Sequence, residues 1–302
     1  MEIIFLGTSG CIPTEDRNLP ALAVEWLNEP YLFDCGEGTQ RQMRLAGVNF
    51  MRINHIFLTH LHADHFMGLG GLIQSMDFQD RRQDLNIHGP PGTRNTVNHL
   101  LDAGTFKLDN FQIHVNEVQH GLVQEGVKHT VTCTRTPHTR NSLAYCFEEK
   151  PHRKFLKQKA LQLGVPEGRL FSRLQRGQAV KLGDKTITSD MVLSEPLPGR
   201  KIVYSGDTSY NPDLIGFAEN ADILVHEATF SVEEQEKLVD SKHSTTQQAA
   251  EIARKAGAQK LFLTHISQRY TEPEVLEKEA QKIFPNTQTA ADLLRVKVEK
   301  HW

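Results

Sequence analysis

The sequence predicts an α/β fold, and two features of the chain support this prediction. Short apolar runs typical of strands alternate with segments of helical pattern along most of the 302 residues. Several of the apolar runs end in a histidine or an aspartate, most densely at Thr59-His60-Leu61-His62-Ala63-Asp64-His65. Because open α/β sheets bind ligands beyond the carboxyl ends of their strands, we expect these side chains to meet at one edge of a sheet.

The first half of the chain is predicted to be rich in strands. Asn28-Glu29-Pro30 is typical of a hairpin turn, and Gly47 is placed to end a short helix. Three glycines in a later helix each weaken it by about 1 kcal/mol relative to alanine, which indicates backbone packed close to another element. The expected strands are residues 2–6, 21–26, 31–34, 54–59, 85–88, 111–118, 127–136 and 142–147, and the expected helices are residues 39–45, 66–76 and 93–103. The segments 111–118 and 127–136 show the alternation of apolar and polar residues that is typical of antiparallel strands.

The second half resumes the alternation of strands and helices after residue 200. A capping box predicts the start of one helix, formed either by Ser244 with Gln247 or by Thr245 with Gln248. Strands are expected at 201–205, 222–225, 261–264 and twice near 287–298, and helices at 212–218, 247–256 and 272–283.

One internal similarity links the two halves of the chain. Phe57-Leu58-Thr59-His60 recurs as Phe262-Leu263-Thr264-His265, each an apolar strand followed by a histidine. The recurrence suggests two similar halves that each contribute a ligand-bearing strand end to one cleft.

The segment 148–176 differs in composition from the rest of the chain. It carries eight Lys or Arg residues against three Glu, a local net charge of +5 within a chain of net charge −3. It also contains two prolines and two glycines, which indicates an insertion that projects from the domain. On composition alone a solvated charged loop is the simpler interpretation.

The bulk composition favours a cytoplasmic protein. An apolar content of 38% includes no run near the roughly 20 apolar residues that span a membrane, and the first residues are not typical of a signal peptide. The four cysteines lie far apart without a Cys-x-x-Cys pair, so we expect reduced thiols. The overall charge of −3 requires any basic nucleic-acid surface to be local.

The histidine cluster is a candidate metal site. Neutral imidazoles and carboxylates are the usual ligands of zinc. His60 and His62 leave the strand end on one side, whereas Asp64 and His65 lie far enough round the turn to serve a second ion. Three further candidates also follow predicted strands: His138, Asp207 and His265. The seven side chains suffice for two ions with one bridging carboxylate, whereas histidines without such a placement are interpreted as structural.

These residues resemble the metallo-β-lactamase superfamily, and further motifs resemble its ribonuclease Z family. The superfamily resemblance comes from His60-x-His62-x-Asp64-His65 with the later His138, Asp207 and His265. The resemblance runs in order from residue 2 to about residue 270. The family motifs are Leu32-Phe33-Asp34-Cys35-Gly36-Glu37-Gly38-Thr39-Gln40, Ser142-Leu143-Ala144-Tyr145, Tyr204-Ser205-Gly206-Asp207-Thr208, His226-Glu227-Ala228-Thr229-Phe230, His243-Ser244-Thr245 and Leu263-Thr264-His265-Ile266-Ser267.

The resemblance implies a single four-layer αββα sandwich over residues 1–302 and two zinc ions per subunit, although other divalent metals are possible. His60, His62 and His138 would hold one ion. Asp64, His65 and His265 would hold the other, with Asp207 bridging both.

The implied reaction is removal of 3′ trailers from precursor tRNA, with a 3′-hydroxyl left on the tRNA and a 5′-phosphate on the trailer. Asp64 would orient or deprotonate the attacking hydroxide. His243, supported by Glu227, would donate a proton to the departing oxygen, a role suited to an imidazole that titrates near neutrality. His226 is then a structural neighbour of Glu227.

The basic segment occupies the position of the family's flexible arm, which grips tRNA from the partner subunit of a homodimer. Its net charge of +5 suits phosphate binding. The candidate RNA-binding residues are Arg153, Lys154, Lys157, Lys159, Arg173 and Arg176. Two departures from the family are Ala144, where glycine is usual, and an arm less rich in proline and glycine over residues 164–171.

Three alternative functions remain at this point. The protein could be another hydrolase on the same fold, such as a small-molecule phosphodiesterase, lactonase or thioesterase, which would not need Glu227, His243 or the basic arm. It could be a metal-binding or RNA-binding protein without activity, although the ligand set is complete. A redox di-iron centre would be expected to carry glutamate where His62 stands.

Overall fold

The computed structural model describes residues 1–237 and 241–300. The chain forms two compact units. The larger unit comprises Met1–Glu148 and Lys201–Glu299, and the smaller unit comprises Glu149–Arg200 together with Lys300.

Two seven-stranded sheets form the larger unit. The first sheet has the order β18-β1-β3-β4-β5-β6-β7, and its strands in chain order are β1 (Glu2–Gly7), β3 (Ala21–Trp26), β4 (Glu29–Phe33), β5 (His55–Phe57), β6 (Leu85–Gly89), β7 (Ile113–Glu117) and β18 (Arg295–Lys297). The second has the order β17-β15-β14-β13-β10-β9-β8, and its strands are β8 (Gly121–Glu125), β9 (His129–Arg135), β10 (Leu143–Glu149), β13 (Lys201–Tyr204), β14 (Ile223–Glu227), β15 (Lys260–Thr264) and β17 (Thr287–Thr289). A short parallel pair, β2 (Ser9–Gly10) with β16 (Ile266–Ser267), joins the two halves of the sequence.

The helices cover the outer faces of the sheets. The first half provides α1 (Thr39–Ala46), α2 (Ala63–Phe66), α3 (Leu69–Phe78), α4 (Thr93–Leu101) and a 3₁₀ turn at Phe50–Arg52. The second half provides α7 (Asp213–Phe217), α8 (Thr246–Ala256), α9 (Glu274–Gln281) and a 3₁₀ segment at Val232–Lys237. No helix among the described residues is both long enough and apolar enough to cross a membrane.

Successive side chains of a strand point to opposite faces of the sheet, so alternate residues pack in different cores. On β1, Ile3 and Phe5 pack between the two sheets, whereas Ile4 and Leu6 pack against helices of the first half. A third core lies between the second sheet and its helices, where Leu224 and Leu261 are fully buried. Helix, sheet, sheet and helix therefore form four layers, which confirms the predicted αββα architecture.

The two copies of the internal repeat lie in different sheets. The copy ending at His60 follows β5 in the first sheet, and the copy ending at His265 follows β15 in the second. Each sheet therefore supplies a ligand-bearing strand end, as the repeat predicts.

Two predictions about local structure are wrong. The expected antiparallel arrangement is wrong for 111–118, where β7 pairs in parallel with β6 in the first sheet. It is correct for 127–136, where β9 pairs antiparallel with the unpredicted β8 in the second sheet. The alternation of apolar and polar residues identified which segments are strands, but it contains no information about which strand each one pairs with.

The helix predicted at 66–76 is divided into α2 and α3. A Cβ on Gly68 would lie 2.1 Å from the carbonyl oxygen of Gly36, so only glycine permits this approach of the two backbones. The Gly68 N–H donates to the carbonyl oxygen of Cys35 at 2.9 Å and ties the break to the loop after β4. Gly70 has open space in place of its side chain, so close packing explains only part of the glycine pattern.

The start of α8 resolves the two capping alternatives. Thr245 and Gln248 form the capping box, and Gly257 ends the helix in the left-handed conformation. The Ser244 hydroxyl instead donates to the carbonyl oxygen of Thr208, which ties the helix start to the loop after β13.

The smaller unit has secondary structure and a small core of its own. It contains α5 (Lys157–Gln162), α6 (Arg169–Gln175), a 3₁₀ turn at Ser189–Met191 and a hairpin of β11 (Val180–Leu182) with β12 (Lys185–Ile187). Its buried cluster consists of Ala160, Val165, Leu174, Val180, Ile187 and Val192. The predicted boundary at 176 is therefore too early, because the basic composition fades before the fold of this unit ends at Arg200.

Candidate metal centre

The seven predicted ligands lie at strand ends or on the turn that follows a strand. His60 and His62 follow β5, and Asp64 and His65 lie in the short helix α2. His138, Asp207 and His265 follow β9, β13 and β15 respectively. Strands from both sheets thus direct polar side chains to one region, and six of the seven residues are buried or nearly so, His62 being the exposed one.

Four of these side chains form the first group of possible metal ligands. Nδ1 of His62 lies 3.0 Å from Nε2 of His60 and 3.1 Å from Nε2 of His138. Asp207 completes the group, with its Oδ2 atom 3.7 Å from His60 Nε2 and 3.8 Å from His138 Nε2. Three imidazoles and a carboxylate are a typical zinc ligand set.

The second group shares the same oxygen of Asp207. Oδ2 of Asp207 lies 3.4 Å from His65 Nε2 and 3.2 Å from His265 Nε2. Oδ2 of Asp64 lies 3.6 Å and 3.5 Å from the same two nitrogens. Asp207 therefore lies between the two groups, in the position that a bridging carboxylate requires.

The donor set fits divalent metal ions. Nε2 of His65 and Nε2 of His265 are buried and have no hydrogen-bond partner among the described residues. A buried polar atom without a partner is costly, and a bound cation would satisfy both nitrogens. Burial favours the neutral acid of Asp207, but the neighbouring His265 and His65 outweigh it and hold its pKa well below the usual range. The carboxylate is therefore ionised and ready to bind a cation.

For three of the buried ligand imidazoles, the ring nitrogen that faces away from the metal position contacts an acceptor. Nδ1 of His65 donates to Asp34 at 2.8 Å, and Nδ1 of His138 donates to the carbonyl oxygen of Lys242 at 2.9 Å. Nδ1 of His265 contacts Thr229 Oγ1 at 2.9 Å, and this hydroxyl donates in turn to Glu227. With Nδ1 protonated, each Nε2 presents a lone pair to the metal position, which is the usual role of outer-shell partners.

Asp34 organises the second group, a role that no sequence pattern predicted. This fully buried carboxylate accepts from the Thr59 backbone N–H at 2.8 Å, from Tyr204 Oη at 3.0 Å and from His65 Nδ1. Its φ of 58° lies in the left-handed region, which turns the chain at the end of β4. Its presence in a family motif was the only available signal, because its contacts come from distant parts of the chain.

The Asp64 carboxylate is held by backbone. Its Oδ2 accepts from the Cys11 N–H at 3.0 Å. A Cβ on Gly36 would lie 2.4 Å from the Asp64 carbonyl oxygen, so glycine at 36 allows the two loops to meet. Burial opposes ionisation of Asp64, but His265 and His65 outweigh it and lower the pKa of the carboxyl.

Glu227 and His243 form a buried pair beside the metal groups. His243 Nδ1 lies 2.8 Å from Glu227 Oε1, and the ring stacks on His265 with centroids 5.1 Å apart. Glu227 also accepts from the backbone N–H of Thr208 at 3.0 Å and that of Thr229 at 3.1 Å. Burial opposes the charge on His243, but the carboxylates of Glu227 and Asp207 outweigh it and raise the pKa of His243 to about 9. Glu227 thus keeps a proton on an imidazole next to the centre.

Comparisons with known proteins agree with this geometry. Residues 1–153 match the family model described as anti-Pycsar protein Apyc1, and residues 174–266 match the beta-lactamase superfamily domain. Ribonuclease Z of Methanothermobacter thermautotrophicus is 45% identical over 301 residues, covering 100% of this chain and 98% of the relative. Ribonuclease Z of Methanosarcina acetivorans is 43% identical over 300 residues, covering 99% and 98%.

The chain belongs to the ribonuclease Z family. It is accordingly an endoribonuclease that hydrolyses phosphodiester bonds. The crystal structure of human tRNase Z, short form, is similar with a TM-score of 0.73 and 26% identity, covering 99% of this chain and 100% of that one. The metallo-beta-lactamase fold protein YhfI from Bacillus subtilis, at 20% identity and a TM-score of 0.70 with 98% of both chains covered, supports the fold alone.

The structure therefore brings together the seven metal-ligand candidates and the pair Glu227–His243. His226 is fully buried, and its Nδ1 contacts the backbone carbonyl of Glu227 at 2.7 Å, away from the ligand groups. The predicted RNA-binding residues all lie in the smaller unit: Arg153, Lys154, Lys157, Lys159, Arg173 and Arg176. Sequence reasoning missed the supporting Asp34, Thr59, Thr208 and Thr229.

Proposed function

We propose that this protein removes 3′ trailers from precursor tRNA, leaving a 3′-hydroxyl on the tRNA and a 5′-phosphate on the trailer. The observation that carries the proposal is the Glu227–His243 pair, with its 2.8 Å contact, next to two groups of metal ligands in a ribonuclease Z chain. The likeness to human tRNase Z supports tRNA as the substrate.

Two zinc ions would occupy the centre. His60, His62 and His138 would hold one, Asp64, His65 and His265 the other, and Asp207 would bridge them. When bound, divalent ions supply Lewis acidity to a phosphate and make water a nucleophile at neutral pH. The remaining steps depend on the protein's own side chains.

Asp64 accepts a proton during the displacement, and His243 donates one. Asp64, ionised and oriented by the Cys11 N–H, orients the attacking water and accepts its proton. The P–O bond to the tRNA 3′ oxygen breaks as the new P–O bond forms. His243 donates its proton to that departing oxygen, and Glu227 stabilises the charged imidazole beforehand. The trailer keeps the phosphate at its 5′ end.

The smaller unit would bind the body of the tRNA. Residues 149–200 include eleven Lys or Arg residues and five acidic residues, a net charge of +6. Lys154, Lys159, Arg173 and Arg176 are exposed and have no ion pair among the described residues, whereas Lys157 pairs with Glu167 and Arg153 with Asp190. Exposed cations without acidic partners suit phosphate contacts. A homodimer in which this unit grips tRNA for the partner subunit completes the proposal.

Two substrates distinguish the contribution of the metal centre from that of the smaller unit. Changing Arg153, Lys154, Lys157 and Lys159 together to Ala should weaken cleavage of a 3′-extended precursor tRNA and flatten its salt dependence, because up to four phosphate contacts are lost. Hydrolysis of bis(p-nitrophenyl) phosphate should be retained, because the centre is intact.

A matched control changes Lys181 and Lys185 of the β-hairpin to Ala, which removes positive charge from the same unit at positions outside the proposed set. Unchanged tRNA cleavage by the fourfold variant would refute the assignment of the basic unit. Equal loss with both substrates would also contradict the assignment, because it would show damage to the metal centre and not weakened tRNA binding.

A further inference from the structure

Cys11 is an exposed thiol at the edge of the metal centre that the proposed reaction does not use. The other three cysteines are buried, which leaves Cys11 as the accessible thiol among the described residues. It directly follows β2, and its backbone N–H donates to Asp64 Oδ2 at 3.0 Å. Its Sγ atom, an oxygen of Asp64 and a ring nitrogen of His265 all lie within 4.8 Å of one another.

His265, a candidate ligand of the second group, belongs to the same cluster as the thiol. The residue is 2% exposed, and its Nε2 atom has no hydrogen-bond partner among the described residues. This nitrogen lies 3.5 Å from Asp64 Oδ2. The lone pair of His265 Nε2 and the Asp64 carboxylate are therefore neighbours, and the Cys11 thiol belongs to the same cluster.

The loop that carries the thiol is fixed against the same histidine. A Cβ on Gly10 would lie 2.7 Å from the His265 ring, so the chain before Cys11 runs directly over the imidazole. The pairing of β2 with β16, which follows His265, holds the two segments in register. The position of the thiol follows from the fold of the centre.

We propose that Cys11 is an additional, soft ligand that joins Asp64 and His265 on the ion of the second group. The inference rests on the proposed metal centre and extends it. Zn–S and Zn–N bonds of about 2.3 and 2.1 Å allow two ligands of one ion to be up to roughly 4.4 Å apart, close to the span of this cluster. The Sγ–metal bond replaces the S–H bond, and the thiol proton passes to solvent.

A thiolate changes which metals the second site prefers. Soft sulfur ligands favour zinc and cadmium, whereas manganese and magnesium prefer oxygen ligands. The second site should therefore hold thiophilic ions more tightly than an all-nitrogen-and-oxygen centre would. The first group, which contains no cysteine, should lack this preference.

Cadmium NMR detects a bond between the metal and the Cys11 sulfur directly. Metal-free protein would be loaded with two equivalents of ¹¹³Cd²⁺ and compared with Cys11→Ser, which preserves the backbone N–H to Asp64, and with Cys11→Ala. The wild-type NMR spectrum should contain one resonance shifted strongly downfield by sulfur and one typical of nitrogen and oxygen ligands. Both variants should lose the downfield resonance and the ultraviolet thiolate-to-cadmium absorption. Cadmium affinity at one site should fall by at least about tenfold in the variants, with manganese affinity unchanged.

The outcomes separate this inference from the proposal on which it rests. If the wild type binds two cadmium ions without a sulfur-shifted resonance, Cys11 is not a ligand and the metal centre stands. If the wild type binds fewer than two ions, the proposed two-metal centre itself fails. Far-ultraviolet circular dichroism of both variants excludes misfolding as the cause of a lost signal.

Discussion

The substitution Asp34→Asn tests how the protein prepares the second metal group. The two oxygens of Asp34 accept from four donors: the backbone N–H and the hydroxyl of Thr59, the Tyr204 hydroxyl and His65 Nδ1. Because a carboxylate can only accept, His65 Nδ1 must carry the hydrogen, and Nε2 is left as the ligand atom. Asparagine has nearly the same shape but offers one acceptor and one donor.

The expected effect follows from these contacts. The asparagine oxygen is needed by the Thr59 N–H, so its NH₂ group must face His65 Nδ1. The imidazole then moves its proton to Nε2, where it blocks the metal. Loss of such an outer-shell partner typically costs 10- to 100-fold in metal affinity, or about 1.4 to 2.7 kcal/mol.

Calorimetric titration of metal-free protein with zinc measures this loss, and ¹⁵N NMR of the histidines identifies the tautomer of His65. Asp222→Asn is the matched control, because Asp222 is a buried carboxylate directly before β14 that accepts from the Lys201 N–H, away from the ligand groups. Unaltered affinity in Asp34→Asn, with the hydrogen still on Nδ1, would refute the reasoning.

Three further predictions concern the centre and the core. Glu227→Gln should lower the pKa of His243 from about 9 in the metal-free protein and slow single-turnover cleavage by roughly 10²- to 10⁴-fold, as NMR titration and quenched kinetics can measure; an unchanged pKa would contradict the pairing. Asp64→Ala, when fully loaded with metal, should lose activity by a similar factor, and full activity would exclude its proton-transfer role. Burial, and secondly His55, lower the pKa of His88 to about 4, so the stability that neutral His88 contributes is complete above pH 6.5 and is lost as the pH falls through 4. This loss in the free energy of unfolding is at most about 3 kcal/mol. His88→Phe should remove this part of the acid sensitivity, which urea unfolding at pH 7, 5 and 4 measures. An identical pH dependence of stability in both proteins would contradict the prediction.

The fold and the metal ligands were largely predictable because their signals are local. Apolar runs marked the strands, and a histidine or aspartate directly after a run marked a ligand. The repeat around His60 and His265 correctly predicted two equivalent strand ends in one cleft. The strand topology was not predicted, because the pairing of β7 with β6 depends on packing that the alternation of apolar and polar residues does not encode.

The residues that support the ligands were not predictable from patterns. Asp34 contacts Tyr204, which is 170 positions away in the sequence, and a lone buried carboxylate has no spacing that distinguishes it. Thr229 acts through its geometry between His265 and Glu227, which only the assembled strands create. The C-terminal end of the smaller unit was not predicted for a different reason. The unit was recognised by its basic segment, but its core residues from Val180 to Val192 lie C-terminal to that segment.

The central claim is metal-dependent cleavage at the 3′ side of tRNA, and one experiment tests it most directly. Purified protein would be incubated with a 3′-extended precursor tRNA before and after chelator treatment, and again after zinc is restored, with both end groups mapped. We predict cleavage that the chelator abolishes and zinc restores, with a 3′-hydroxyl on the tRNA and a 5′-phosphate on the trailer. Absence of cleavage with any divalent metal, or a 2′,3′-cyclic phosphate on the tRNA, would contradict the proposed function.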